Sequence, residues 1–266
     1  MTPKKLLLTF VTLSVMFASS ASLPAQTVNM ALTSVTPQTN VQGHAGIANY
    51  SVTAGLLHFR VDSVSPTPLL PFPMNLSLFC TELAQTINLN ETDASKRIFT
   101  IVSADQASKN GPGSGFGANI PSTGIGSIRA RNLEILYAQV FNQNYNPAAL
   151  SNDRKVAFQL AVWELSHDSD FSLTATGAAS GYFNVSNQTV IRNQAQTWVT
   201  AVANLTGNTD AARMSLSVLH SGTVQDFLIP NAVLAPIPEP ATTAAILAGV
   251  TLGLVALRRR RSGNSV

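Results

Sequence analysis

Cysteine occurs once in the 266 residues, at Cys80. A single thiol excludes an intramolecular disulfide framework and a cysteine-based zinc knuckle. Charge is scarce as well: Asp, Glu, Lys and Arg make up 11% of the chain, against roughly 25% in an ordinary soluble domain. That shortage points away from a cytosolic chain and toward an exported or surface-bound one. Paired metal-ligand spacing is missing too, because His44, His58, His167 and His220 are scattered. Asp168 and Asp170 lie close together but without the glycine and distal glutamate of a calcium loop, so neither a metal site nor a cofactor is expected.

What is present is apolar surface. Hydrophobic residues make up 45%, enough for one large domain or two small ones to bury a core. The formal charge of +3 would suggest an acidic partner, but six of the sixteen basic residues sit at the two ends. These are Lys4, Lys5, Arg258, Arg259, Arg260 and Arg261, and the body between them is slightly acidic. It has no basic run and no interleaving of basic and aromatic residues, so nucleic-acid binding is not expected.

Both ends read as processing segments. Lys4 and Lys5 precede an apolar stretch over residues 6–18, then small residues leading to Ala21 and Ala25. This is the layout of a secretory signal peptide over residues 1–25. Near the other end, residues 241–257 are uncharged and mostly apolar, long enough to cross a hydrocarbon core as a helix. The arginines at 258–261 follow within a basic cytoplasmic tail, residues 258–266. Residues 231–240 form a proline-rich linker, whose Pro236-Ile237-Pro238-Glu239-Pro240 forbids helix and holds the backbone extended.

With Pro238, Glu239 and Pro240, an apolar span and then Arg258 to Arg261, this tail resembles the PEP-CTERM sorting signal of Gram-negative, exopolysaccharide-producing bacteria. The resemblance implies recognition by an exosortase-type processing enzyme, transient anchoring in the membrane by the C-terminal helix, and delivery to the cell surface or extracellular matrix. It implies nothing about residues 26–230, the central domain.

In that domain, period-two alternation over residues 47–52 and 57–61 predicts strands. Pro66, Pro68, Pro71 and Pro73 then make a connector that cannot lie inside a sheet. An apolar strand is expected over residues 76–83, with Cys80 in it. The Gly- and Pro-rich run over residues 110–127 predicts a loop and lacks the Lys-Ser/Thr of a phosphate-binding turn. Helices are predicted over 128–143, 152–167 and 187–205, and a hairpin over 214–229 turning at Ser221-Gly222. The fold class read from this order is α+β: a β-rich domain with an inserted group of about three helices, flanked by the signal peptide and the transmembrane sorting helix.

The second predicted helix places Val156, Gln159, Leu160 and Trp163 on one face, so a carboxamide falls within a stripe expected to be buried. A buried amide needs partners, and hydrogen bonding to neighbouring backbone is the plainest source of them. Cys80 likewise reads first as a small core hydrophobe. In an exported protein an accessible lone thiol risks oxidation, and burial or use in another bond removes that hazard.

Two stretches, Leu78-Phe79-Cys80-Thr81-Glu82 and Gln159-Leu160-Ala161-Val162-Trp163-Glu164, resemble the paired motifs of the bacterial thioester domains of surface adhesins. The resemblance implies a covalent bond between the Cys80 sulfur and the Gln159 side-chain carbonyl. A surface amine or hydroxyl of a protein or polysaccharide would open that bond and become acylated. Such anchoring is single-use, so no enzyme is implied. Trp163 is expected to cover the bond. Phe79, Glu82 and Glu164 complete its expected surroundings, the two carboxylates read first as hydrogen-bonding groups and second as proton carriers. Two readings compete with this one: a non-covalent structural or interaction protein of the exopolysaccharide matrix, and a cysteine hydrolase using Cys80 with His167 or His58 as base.

Overall fold

The computed structural model describes residues 26–45, 48–65, 74–83, 87–89, 91–107, 124–168, 170–174 and 183–234. The expected signal peptide, the proline connector at 66–73, most of the Gly-rich run, and the sorting tail with Pro238, Glu239, Pro240 and Arg258 to Arg261 lie outside them. Among the described residues no helix is long and apolar enough to cross a membrane.

Two long strands, β1 (Thr27–Ala45) and β2 (Ala48–Ser65), pair antiparallel along nearly their whole length. Val41, Gly43 and Ala45 are buried while Gln42 and His44 are exposed, the alternation of a sheet with one wet face. Register shifts at Asn29/Met30, Leu32/Ser34 and Thr36/Thr39 put extra residues into the pairing, which bends and coils both strands. Bending matters because β1 serves different neighbours at its two ends.

Five more strands complete the sheet: β3 (Met74–Cys80), β4 (Ile98–Ser103), β5 (Phe183–Val185), β6 (Leu216–His220) and β7 (Phe227–Pro230). The order is β2-β3-β7-β6-β4-β1-β5, with β1 also paired to β2. Six strands therefore close on themselves as an antiparallel barrel, and β5 adds to the far end of β1. Closure leaves no edge where the ring is complete. Phe59, Phe99 and Phe227, from strands separated in the sheet order, meet edge to face inside it, at 4.7 and 5.6 Å between ring centres.

Between β4 and β6 the chain inserts three helices, α1 (Gly126–Phe141), α2 (Asn152–His167) and α3 (Thr189–Ala203). The insertion agrees with the sequence reading in the number and order of helices, while α1 ends at Phe141 rather than at 143 and α3 spans Thr189–Ala203 rather than 187–205. Gly126 and Ser127, read as loop, begin α1, and Asn231–Leu234, read as the start of the linker, form one helical turn, α4. The alternation read over 47–52 and 57–61 falls in the one strand β2, and three strands were not anticipated, β1, β4 and β5.

The helix α2 starts where Ser151 accepts the Arg154 N–H, as an N-cap should. It was expected to bury one stripe. Instead every residue from Val156 to His167 is buried, because α2 touches β1, β2, β3 and β5 as well as α1 and α3. A helix enclosed all round must satisfy its polar side chains inside the protein, and Gln159, Glu164, Ser166 and His167 are the ones concerned.

Candidate functional site

β2 and β3 pair from Val61↔Met74 to Leu57↔Leu78 and then part. In a strand, neighbouring residues turn their N–H and C=O to opposite sides. Thr81 donates to the Asp226 carbonyl on the β7 side at 3.0 Å, so the main-chain groups of Cys80 face the side that β2 has left. Gln159 takes the missing strand's place. Its Oε1 accepts the Cys80 N–H at 3.1 Å, and its Nε2 donates to the Cys80 carbonyl at 2.7 Å. A primary carboxamide presents the same donor and acceptor pair as a peptide group, which is why it fits that gap.

Cys80 is buried, and burial is what pushes its thiol up to about 12. The Trp163 indole and the main-chain N–H groups of Cys80 and Glu82 oppose that push, while the Glu82 charge adds to it. Cys80, Gln159 and Trp163 line one cavity of about 330 Å³, together with Leu83 and Gln225. Ser51 and Thr53 of β2 also line it and are exposed, so the cavity opens to the surface. Gly55 is on the same wall: a Cβ there would lie 2.1 Å from the Pro37 carbonyl oxygen, so only glycine permits the close approach of β1 and β2 at that bulge.

Of the other expected surroundings, Glu82 lies just past the end of β3, which stops at Cys80 rather than at Leu83. It is buried, its Oε2 accepts the Asp226 N–H at 2.8 Å, and burial followed by the Asp226 charge raises it to about 9. Asp226 in turn accepts from Ser221 N–H at 2.8 Å and contacts His220 Nδ1 at 3.0 Å. Phe79 points to the opposite face of β3 from Cys80 and packs on Phe158 at 4.6 Å. It does not line the cavity.

Glu164 does not line it either. Its Oε1 accepts the Ser172 N–H at 2.9 Å, and burial, then the charges of Asp168 and Asp170, raises it to about 9. Glu164, Asp168 and Asp170 bring one carboxylate oxygen each to within 4.8 Å of one another. The sequence reading set Glu164 beside the thioester and apart from Asp168 and Asp170, whereas the structure brings it to the two aspartates. The signal was available in part, since residues 164 and 168 fall on one helix face.

The hydrolase reading needs a histidine beside the sulfur. His58 Nδ1 contacts Ser77 Oγ at 2.9 Å, and His167 sits at the C-terminal end of α2; neither lines the Cys80 cavity. Sequence reading also missed Ser51, Thr53, Gly55 and Gln225 as cavity residues, because it is pairing between distant strands that brings them there.

No protein-family model and no curated protein matches the chain. Among solved structures it is similar to the N-terminal thioester domain of fibronectin-binding protein SfbI from Streptococcus pyogenes, at 12% sequence identity and a TM-score of 0.35, over 74% of this chain and 96% of that one.

Proposed function

We propose that this is an exported cell-surface or matrix protein that anchors itself covalently through a Cys80–Gln159 thioester. The observation that carries the reading is the seating of the Gln159 carboxamide on the main chain of the residue that bears the thiol, at 3.1 and 2.7 Å, in a cavity open to the surface.

The chemistry is acyl transfer. The Cys80 sulfur attacks the Gln159 side-chain carbonyl carbon, a sulfur–carbon bond forms and the carbon–Nε2 bond breaks. Nε2 leaves as ammonia, carrying the thiol proton. Negative charge develops on Oε1 during the attack, and the Cys80 N–H already donates to that atom, a preorganised donor of the oxyanion-hole kind. A buried thiol raised to about 12 gives little free thiolate, so its proton leaves as the new bond forms. An incoming amine or hydroxyl then displaces the sulfur and becomes acylated by residue 159, releasing the Cys80 thiol.

The second reading rests on the same two hydrogen bonds: Gln159 completes the edge of β3 and does nothing more, in a non-covalent matrix protein. Intact mass of the full chain separates the two. The thioester reading expects a mass lower than the sequence requires by one ammonia, restored in Cys80→Ala, with Cys80 resisting alkylation under denaturing conditions. Full mass together with complete alkylation leaves Gln159 as a structural amide.

A further inference from the structure

The walls of the cavity at Cys80 and Gln159 restrict what can open a bond between those two residues. Depth is the first restriction. Cys80 is 3% exposed and Gln159 is wholly buried, so an incoming group must pass the rim at Ser51 and Thr53 and reach inward. A serine or threonine hydroxyl stands one carbon from its own main chain and would have to bring that main chain in between the strands. Charge is the second. Among the described residues the lining holds no Asp, Glu, Lys, Arg or His. Apart from Cys80, Gln159 and Trp163, its polar side chains are Ser51, Thr53 and Gln225, all neutral, beside apolar residues such as Leu32 and Leu83. The carboxyls of that corner do not line it: Glu82 accepts the Asp226 N–H, and Asp226 accepts the Ser221 N–H and contacts His220. Glu82, raised to about 9, is also uncharged at neutral pH. A lysine is long enough to reach in, but only on the order of one ammonium in a thousand has lost its proton at pH 7. The charged form would leave water for walls that offer it no carboxylate.

On the thioester reading, on which this depends, we infer that the nucleophile that opens the bond is a carbohydrate hydroxyl, and that an ester then joins residue 159 to a polysaccharide. A ring hydroxyl arrives uncharged and stands out from a ring rather than from a peptide main chain. Its neighbouring hydroxyls find both donors and acceptors in Ser51, Thr53 and Gln225. A cavity of about 330 Å³ lies at the small end of ligand pockets, a size for one sugar unit rather than a folded peptide. In the step itself the hydroxyl oxygen bonds to the acyl carbon of residue 159, the carbon–sulfur bond breaks, and the hydroxyl proton passes to the Cys80 sulfur. Burial, which pushes the Cys80 thiol up to about 12, favours the sulfur's taking that proton. The Cys80 N–H is placed to donate to the acyl oxygen as charge develops there.

The test follows intact mass of the full chain in detergent at pH 7, incubated separately with equal concentrations of methyl glucoside, maltotriose, Nα-acetyl-lysine amide and N-acetyl-serine amide. A starting mass that is not short by one ammonia overturns the thioester and the carbohydrate assignment together. From the ammonia-deficient chain, the two sugars are expected to add their whole mass at least about tenfold faster than the lysine or serine probe. Each adduct should free one alkylatable thiol and be removed by hydroxylamine, which cleaves esters and spares amides. Thr53→Asp sets a carboxylate at the rim and should move the preference about tenfold toward the lysine probe. Faster addition of the lysine or serine probe to the wild type, hydrolysis by water with no sugar adduct, or an unchanged preference in Thr53→Asp would each overturn the carbohydrate assignment and leave the thioester standing.

Discussion

Gln159 and Glu164 sit five residues apart on one enclosed helix, and both are wholly buried. At Gln159 a neutral group with one donor and one acceptor meets a main chain offering one of each. At Glu164 a carboxyl meets a single N–H and two further carboxylates, and it is raised to about 9, so it keeps the proton an ordinary carboxyl would have lost. Burial is the same at both; matching is not. An enclosed helix can therefore hold one polar side chain as a structural peg and keep another in a state that a proton must complete.

Exchanging the two side-chain types breaks this comparison. On a Cys80→Ala background, which keeps the main-chain partner and removes the sulfur, Gln159→Glu replaces the donor facing the Cys80 carbonyl with an acceptor. We expect a loss of about 3 kcal/mol in urea unfolding, from an unsatisfied buried pair and a misplaced carboxyl. The reverse exchange, Glu164→Gln, replaces a carboxyl raised to about 9, which already carries its proton at neutral pH, with another donor. Stability in urea unfolding at neutral pH should change by about 1 kcal/mol or less. Equal losses in the two exchanges would show that burial alone, not matching, decides.

A third measurement uses pH at Glu82, the other raised carboxyl. Its ordinary value is 4.5 and burial beside Asp226 takes it to about 9. Between those values the folded chain keeps a proton that the unfolded chain releases, so the stability it contributes is full below 4.5 and declines as pH rises toward 9. Unfolding midpoints of the full chain should fall between pH 5.5 and pH 8.5, and Glu82→Gln should flatten part of that slope. An unchanged slope would remove Glu82 as its source. Smallest of all, Val190→Ser, at a side chain 78% exposed on α3, should change stability by less than about 0.5 kcal/mol.

Local signals were legible in the sequence where they were strong. The apolar run beginning at Val156 placed α2 over 152–167, as observed, and the turn at Ser221-Gly222 placed the β6–β7 hairpin. β4 was missed because Phe99 is its lone buried side chain, which leaves no alternation to detect, and β5 because three residues carry no period. Barrel closure depends on Thr27–Asn29 pairing with Ile98–Thr100, a contact no local pattern encodes. The pairing of Cys80 with Gln159 was suggested by resemblance to known motifs, not by spacing, and the structure places the two side by side across 79 positions of chain. The carboxylate group needed a loop: helical spacing unites Glu164 with Asp168, but Asp170 arrives through a turn in which Phe171 adopts a positive φ of 57°.

The divergence of β2 from β3 after the Leu57–Leu78 pair makes the doorway to Cys80 a seam in the backbone. Gln159 stands in that seam, so the way in runs beside it, past Ser51 and Thr53 of β2. The pairing of β2 with β1 fixes where those two residues stand. What reaches the sulfur is thus set by small polar side chains on a rigid rail, and exchanging them alters entry without moving a strand.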